Sequence, residues 1–253
     1  MPTSTRDRKR VVVKVGSALL RHPQGGLRES VVAHIVQQLF TLRQQGHEVL
    51  LVSSGAVALG IQVLGAQGIP RTIVYQQAAA AIGQSHLIWT YERLFGAFHQ
   101  KVAQILLTHE DLRSRTRYLN ARNTLLTLLQ YGVIPIIDEN DTVSVEGIRF
   151  GDNDMLSAMV CNLVDADILI ILSHIEGLYT ADPRLQPEAT LIPVVEKIDA
   201  RIEAMASSAT HVTGRGGMAS KIRAAKIAGK PHNWKAIRKL RKEIFEVIRA
   251  LES

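Results

Sequence analysis

The fold is decided by the stretch Val11-Val12-Val13-Lys14-Val15-Gly16-Ser17, an apolar strand that carries one lysine and ends in glycine and serine. Periodic apolar residues from Val31 to Leu42 predict a following helix, which Gly46 ends. The run Val49–Val52 predicts a second strand, and Ala-rich helical sequence resumes after Ser53-Ser54-Gly55-Ala56. An order of strand, helix, strand and helix predicts a parallel sheet with crossover helices.

The same alternation continues along the chain. Further strands are predicted at 102–107, 133–137 and 168–172, with helices near 76–99, 117–131 and 154–164. The chain contains no internal repeat and no low-complexity linker before about residue 228. We therefore expect one doubly wound domain over residues 1–228, a three-layer α/β/α sandwich with a mostly parallel open sheet.

Composition limits the classes of protein that the chain can belong to. It has 253 residues, of which 46% are hydrophobic and 21% charged, as in ordinary folded proteins. Cys161 is the only cysteine, which excludes an intramolecular disulfide and favours a reducing, cytoplasmic compartment. No apolar run approaches the roughly 18 residues that a membrane span needs, and no signal peptide is evident.

The formal net charge of +7 is concentrated at one end of the chain. Residues 229–253 carry seven Lys or Arg against three Glu, so this tail supplies more than half of the excess. The remaining surplus is too small to indicate a nucleic-acid surface, and we expect no nucleic-acid partner.

Two lysines lie where a phosphate group could bind. Lys14 interrupts an apolar strand just before Gly16, where the backbone can approach an anion closely. Lys221 ends the glycine-rich segment Thr213-Gly214-Arg215-Gly216-Gly217-Met218-Ala219-Ser220-Lys221, which runs into a helix and can wrap amides around a polyphosphate. Considered alone, Lys14 could instead extend to solvent, and the glycine-rich segment could be a surface loop. The spacing of a P-loop NTPase motif is absent.

Polar side chains gather at the ends of other predicted strands. Ser53-Ser54-Gly55-Ala56 is a strand-to-helix junction suited to a carboxylate or phosphate, although a serine there also serves as an ordinary helix N-cap. The clusters Asp138-Glu139-Asn140-Asp141 and Gly151-Asp152-Asn153-Asp154 flank apolar runs. Lysines, carboxylates and amides at neighbouring strand ends fit phosphoryl transfer, in which catalysis is mainly positioning and charge neutralisation. The motifs of zinc hydrolases and α/β-hydrolases are absent.

From Val11 to about Ala228 the chain resembles the amino acid kinase family, and within it the kinases that act on L-glutamate. Seven segments carry the resemblance, in the family's order. They are 13–17 (Val-Lys-Val-Gly-Ser), 52–56 (Val-Ser-Ser-Gly-Ala), 117–122 (Arg-Tyr-Leu-Asn-Ala-Arg), 139–141 (Glu-Asn-Asp), 151–154 (Gly-Asp-Asn-Asp), 177–183 (Gly-Leu-Tyr-Thr-Ala-Asp-Pro) and 216–221 (Gly-Gly-Met-Ala-Ser-Lys).

The resemblance implies transfer of the ATP γ-phosphate to the side-chain carboxylate of L-glutamate, the first step of proline biosynthesis, with Mg²⁺ on the nucleotide phosphates. It implies that Lys14 and Lys221 neutralise the transferred group and that Asp154 orients both lysines. The glutamate-binding residues that it implies are Ser54, Asp141 and Asn153, with Asp152 supporting that loop. The nucleotide contacts that it implies are Ser173, His174, Arg215, Gly216, Gly217, Met218, Ala219, Ser220 and Lys221. It also implies a homo-oligomer.

Three residues and the part of the chain after residue 228 depart from the family pattern. Members commonly have Asn where Asp138 stands, Asp where His174 stands and Thr where Arg215 stands. After residue 228 the expected strand and helix are not recognisable, and neither is the PUA domain of longer members. Instead, the tail 229–253 has the pattern of a basic amphipathic helix packed on its own domain, with an oligomerisation zipper or an RNA-binding arm as alternatives.

Two other functions share parts of this pattern. An acetylglutamate, carbamate or uridylate kinase would share the lysines but not the clusters at 138–154. A catalytically impaired ligand-binding module would fit the altered tail, although Lys14, Asp154 and Lys221 are all present.

Overall fold

The structure is a computed structural model that describes residues 8–22, 25–65, 72–144, 153–173, 175–208 and 217–229. These residues form a sheet of five parallel strands in the order β3-β4-β2-β1-β5. The strands are β1 (Arg10–Val15), β2 (Glu48–Val52), β3 (Val102–Leu107), β4 (Ile134–Glu139) and β5 (Ile168–Leu172). The predicted parallel sheet is confirmed, with all five strands at their expected places along the chain.

Helices connect the strands as crossover elements, and two further helices follow β5 in the described part of the chain. They are α1 (Ser17–Leu20), α2 (Glu29–Gln44), α3 (Ala56–Val63), α4 (Ile73–Gly96), α5 (His109–Arg113), α6 (Arg115–Gln130), α7 (Asn153–Val164), α8 (Ala200–Ser208) and α9 (Met218–Ala228). Thr72 begins α4 by accepting a hydrogen bond from the Tyr75 amide through its hydroxyl. Thr108 and Asp111 form a capping box that begins α5.

Two apolar cores lie on opposite faces of the sheet. On one face, alternate β1 residues such as Val11 and Val13 pack with α2 and with Leu87, Tyr91 and Phe95 of α4. On the other face, residues such as Val12 of β1 and Leu50 of β2 pack against α5, α6 and α7. Since both faces of the central strands β1, β2 and β4 are covered, these strands are mostly apolar without alternation. The three-layer α/β/α sandwich is confirmed.

Helices α3 and α4 pack unusually closely because glycine occupies both contact points. A Cβ atom at Gly60 would lie 1.7 Å from the Ala79 carbonyl oxygen, and one at Gly83 would lie 1.8 Å from the Ala56 carbonyl oxygen. No side chain fits at such distances, so the two backbones touch directly. This contact holds α4 beside the start of α3, which directly follows Ser53 and Ser54 at the end of β2.

The main difference from the expected elements is the end of β4. The sequence predicts that this strand ends at Ile137, but Asp138 and Glu139 continue it and pair with Leu106 and Leu107 of β3. Both carboxylates are buried, 3% and 4% exposed, and both have hydrogen-bond partners. A carboxylate can be buried within a strand when other parts of the fold supply hydrogen-bond donors to it. The local sequence does not show whether such donors are present.

Two other expectations concern Cys161 and the tail after residue 228. Cys161 is buried among apolar side chains of α7, as expected of a small hydrophobe, and burial raises the pKa of its thiol to about 12. The tail expectation falls on residues 229–253, which lie outside the described residues except for Gly229.

Candidate active site

One buried carboxylate joins two lysines at the carboxyl end of β1. Asp154 is fully buried, and its Oδ1 lies 2.6 Å from Nζ of Lys14. Its Oδ2 lies 3.0 Å from Nζ of Lys221 and accepts a hydrogen bond of 2.7 Å from the Ser220 hydroxyl. Lys14 is only 6% exposed, so it does not extend to solvent. The three predicted catalytic residues therefore form one cluster that carries a net charge of about +1.

The ionisation of Asp154 is fixed by these neighbours. Burial by itself would raise its pKa, but the charges of Lys14 and then Lys221, with the hydrogen bonds from Lys14 and Ser220, outweigh burial. The pKa of Asp154 is consequently lowered, and the carboxylate stays ionised at neutral pH. An anion that enters this cluster meets two ammonium groups whose positions a common partner sets.

The cluster lies where two helices begin. Asn153 and Asp154 open α7, and Gly217 caps α9, whose first turn includes Ser220. The C-terminal halves of the two helices are also joined, because Nδ2 of Asn162 donates to the Ile227 carbonyl at 3.0 Å. Helix N-termini present free amide donors and a positive dipole end, so both favour phosphate here.

A second polar cluster lies beside the first, over the ends of β2 and β4. Nδ2 of Asn153 lies 2.9 Å from the Ser53 carbonyl oxygen, 2.8 Å from the Ser54 hydroxyl and 2.9 Å from Oδ1 of Asp138. Gly55 caps α3 in a left-handed conformation with φ +114°, and no side chain makes a capping hydrogen bond there. Ser54 therefore does not act as the N-cap of α3, and its hydroxyl belongs to the second cluster.

Asp138 is a carboxylate in an unusual environment. Burial and then the charge of Asp141 raise its pKa to about 8, although hydrogen bonds from Asn153, Gln84 and the Glu139 amide favour the ionised form. Asp138 is therefore a titratable group beside the second cluster.

The structure brings most of the predicted catalytic and glutamate-binding residues together. Lys14, Asp154 and Lys221 are in contact, and Ser54 contacts Asn153. Asp141 lies in the turn after β4, close enough for its charge to act on Asp138. Asp152 lies outside the described residues.

The predicted nucleotide contacts are described in part. Ser173 directly follows β5, whose last residue Leu172 pairs with Val15, so Ser173 lies beside the end of β1. Gly217 and the residues Met218, Ala219, Ser220 and Lys221 form the start of α9. His174, Arg215 and Gly216 lie outside the described residues.

The sequence analysis did not identify three polar residues beneath the second cluster. Gln84 and Tyr91 lie two turns apart on α4 and are buried, and the Tyr91 hydroxyl lies 3.0 Å from the Ser53 hydroxyl. Gln104 of β3 donates to Gln84 at 3.0 Å. The available signal was a glutamine and a tyrosine at core-facing positions of an otherwise Ala-rich helix, which requires partners for their polar atoms.

No group of three His, Cys, Asp or Glu side chains in the described part of the chain could hold a metal ion. None of the helices described is both long and apolar enough to cross a bilayer.

Most of the chain is similar to known proteins. The model of the amino acid kinase family matches residues 9–237. Glutamate 5-kinase of Geobacter metallireducens is 52% identical over 221 residues, which is 87% of this chain and 59% of that protein. Glutamate 5-kinase of Desulfotalea psychrophila is 55% identical over 220 residues, 87% of this chain and 58% of that protein. The chain thus spans about three fifths of the length of these relatives.

A solved structure gives the same fold from a distant sequence. Aspartate kinase from Synechocystis superposes with a TM-score of 0.55 at 15% sequence identity, over 86% of this chain and 36% of that one. At this identity the likeness concerns the fold alone.

Proposed function

The chain belongs to the amino acid kinase family, and on that premise we propose that it transfers the γ-phosphate of ATP to the side-chain carboxylate of L-glutamate. The product would be γ-glutamyl phosphate, and the reaction would be the first step of proline biosynthesis. The relatives named glutamate 5-kinase, at 52% and 55% identity, support this choice of acceptor.

The observation that carries the proposal is the adjacency of Asn153 and Asp154 at the start of α7. Asp154 holds Lys14, near the carboxyl end of β1, and Lys221, in the first turn of α9. Asn153 contacts Ser54 after the end of β2. Two neighbouring residues therefore join a cationic half, suited to phosphates, to a hydrogen-bonding half, suited to an amino acid. A phosphoryl group in transfer between them would lie beside both ammonium groups.

The chemistry requires little beyond charge and position. A side-chain carboxylate with a pKa near 4 is ionised at neutral pH, so its oxygen can attack the γ-phosphorus without a general base. The bond between the γ-phosphorus and the β–γ bridging oxygen breaks, and ADP leaves with that electron pair. Lys14 and Lys221 would stabilise the negative charge on the transferring group, an electrostatic effect that is strongest in a buried site.

ATP as phosphate donor and Mg²⁺ as its counterion are part of the proposal. Mg²⁺ at nucleotide sites commonly keeps several waters and binds through phosphates and one or two carboxylates. The described residues offer no three-ligand metal cluster, and both oxygens of Asp154 already face lysines, which fits an ion held mainly by the phosphates. When bound, Mg²⁺ would neutralise phosphate charge. We also propose a homo-oligomer that acts in the cytoplasm, with L-glutamate and ATP as its ligands.

The experiment is an acceptor comparison with the purified chain, ATP and Mg²⁺, in which hydroxylamine traps any acyl phosphate as a hydroxamate. L-glutamate is compared with N-acetyl-L-glutamate, carbamate and UMP, the last two followed by ADP formation. We expect hydroxamate with L-glutamate and turnover near background with the other three. Turnover with another acceptor in preference to L-glutamate would contradict the proposal.

A further inference from the structure

A chain of hydrogen bonds runs from the sheet edge to the proposed glutamate site. Nε2 of Gln104, exposed on β3, donates to Oε1 of Gln84 at 3.0 Å. Nε2 of Gln84, which is 7% exposed on α4, donates to Oδ2 of Asp138 at 2.8 Å. Oδ1 of Asp138 accepts from Nδ2 of Asn153 and from the Glu139 amide, both at 2.9 Å. Four side chains from four elements therefore lie in one continuous network.

The network has a direction that sets how Asn153 is oriented. Because Gln104 donates to the Gln84 carbonyl oxygen, the Gln84 amino group is the part of the amide that faces Oδ2 of Asp138. The Asn153 amino group faces Oδ1 of Asp138, which also accepts from the Glu139 amide, and the Ser53 carbonyl oxygen, which can only accept. Its carbonyl oxygen Oδ1 is left on the opposite side, where it is buried and accepts no hydrogen bond from the described residues.

An unpartnered buried acceptor calls for a donor from a ligand. At neutral pH the α-ammonium is the only hydrogen-bond donor of L-glutamate, since both of its carboxyl groups are ionised. Oδ1 of Asn153 is thus an acceptor position for that ammonium group.

We propose that Gln84 and Asp138 are positioning residues for substrate recognition, which fix the Asn153 amide so that its oxygen accepts from the α-ammonium of L-glutamate. This inference rests on the proposed function. Close packing of α3 on α4 through Gly60 and Gly83 keeps Gln84 within reach of β4.

Glutamine suits position 84 because its amide can donate or accept. Asp138 accepts hydrogen bonds from Asn153 and Gln84. Its ionisable neighbours among the described residues are Asp141 after β4 and Tyr91 on α4. Gln84 can donate to an ionised Asp138 or, with its amide rotated, accept from a protonated one. A glutamic acid at position 84 could donate to Asp138 only while it holds a proton, and two carboxylates at 2.8 Å cannot both ionise without mutual repulsion.

The test uses Gln84→Glu alone and in combination with Asp138→Asn, with steady-state kinetics at about pH 6 and about pH 9. At the lower pH the Gln84→Glu variant shares a proton with Asp138, and we expect its glutamate KM to match the wild-type value. At the higher pH we expect that KM to rise about tenfold, because a charge-assisted hydrogen bond is lost. The KM for ATP and kcat should change less than about twofold.

The double variant Asp138→Asn, Gln84→Glu supplies the matched rescue. The amide introduced at position 138 donates through its amino group to the carboxylate introduced at position 84, while its carbonyl oxygen still accepts from Asn153. The network is then complete without a shared proton. We expect the glutamate KM of the double variant at about pH 9 to return within about twofold of the wild-type value. Gln37→Glu, which places the same new charge at an exposed position of α2, should follow the wild type at both pH values.

The outcomes distinguish failure of the positioning role from failure of the proposed function. If the wild type binds and phosphorylates L-glutamate but Gln84→Glu shows no pH-dependent rise in KM, or the double variant shows no rescue, the positioning role is wrong and the proposed function stands. If calorimetry detects no binding of L-glutamate to the wild type, both are wrong. Should Gln84→Glu fail to fold, the variant Gln104→Met tests the same network, because it removes the donor to Gln84 at an exposed residue. We expect its glutamate KM to rise about threefold with ATP KM unchanged, and an unchanged glutamate KM would overturn the proposal.

Discussion

Replacing Asp154 with Asn should destabilise the protein strongly, because it removes the shared partner of two largely enclosed cations. The side chains of Lys14 and Lys221 are 8% and 18% exposed, and Asp154 is the carboxylate that contacts both. An asparagine places an amino group against one ammonium and leaves the other with a neutral oxygen. Breaking a buried ion pair in this way costs about 3–5 kcal/mol of the free energy of unfolding.

The matched control is Asp165→Asn, the same chemical change at a surface ion pair. Asp165 lies 2.9 Å from Arg122 with its side chain 55% exposed, and its φ of +51° is one that asparagine tolerates. Loss of this exposed pair should cost less than about 1 kcal/mol. Urea unfolding of the three proteins at neutral pH gives both differences.

The pH dependence offers a second check on the same variant. Because the folded-state pKa of Asp154 is lowered, its stabilisation is fully present above the unfolded-state pKa near 4 and is lost as the pH falls through the folded value. The difference between the wild type and Asp154→Asn should therefore hold above about pH 5 and shrink in acid. A cost no larger than that of Asp165→Asn, or one that is the same in acid, would refute the idea that an ionised Asp154 holds the two lysines.

Three further predictions concern other parts of the site. Lys221→Ala should lower kcat by about 100-fold or more with little change in the glutamate KM, whereas Asp141→Ala should mainly raise the glutamate KM. Initial-rate kinetics that reversed this contrast would contradict the assigned roles. Asp138→Asn should gain stability over the wild type by about 1.4 kcal/mol per pH unit between about pH 4 and pH 8. The reason is that the raised pKa makes the folded wild type retain a proton that the unfolded chain releases. Urea unfolding measures the free energy of unfolding of both proteins at each pH, and parallel curves against pH would contradict the prediction. Gly83→Ala should lower the free energy of unfolding by about 3 kcal/mol or prevent folding, because its Cβ would overlap the Ala56 carbonyl. The control is Gly96→Ala, whose Cβ has open space around it and which should be neutral or stabilising. Thermal melts compare the two variants.

The sheet could be predicted from sequence because its central strands β1, β2 and β4 are buried on both faces. Runs such as Val11–Val15 and Ile168–Leu172 are apolar without alternation, which short strands inside an α/β layer require. Helix α4 was predicted within three residues of its ends. Short helices such as α1, with four residues, contain too little periodicity to be recognised.

The cationic half of the site could also be predicted, since lysines and glycines at strand ends indicate anion binding from local sequence alone. The network beneath the other half could not, because its members come from distant parts of the chain. Gln84 and Asp138 are separated by 54 residues, and they meet only in the folded chain, where α4 packs closely on α3. Likewise, the burial of Asp138 within β4 depends on donors from α4 and α7, which no local pattern records.

The most direct test of the central claim follows an oxygen atom. L-glutamate labelled with ¹⁸O in its side-chain carboxylate is incubated with the purified chain, ATP, Mg²⁺ and hydroxylamine, and the inorganic phosphate released is analysed by mass spectrometry. If the carboxylate attacks the γ-phosphorus beside Lys14 and Lys221, the bridging oxygen leaves with phosphorus when hydroxylamine takes the acyl group, and the phosphate carries one ¹⁸O. Phosphate formed without ¹⁸O would mean that water attacks ATP, which would contradict the assignment of this site to glutamate phosphorylation.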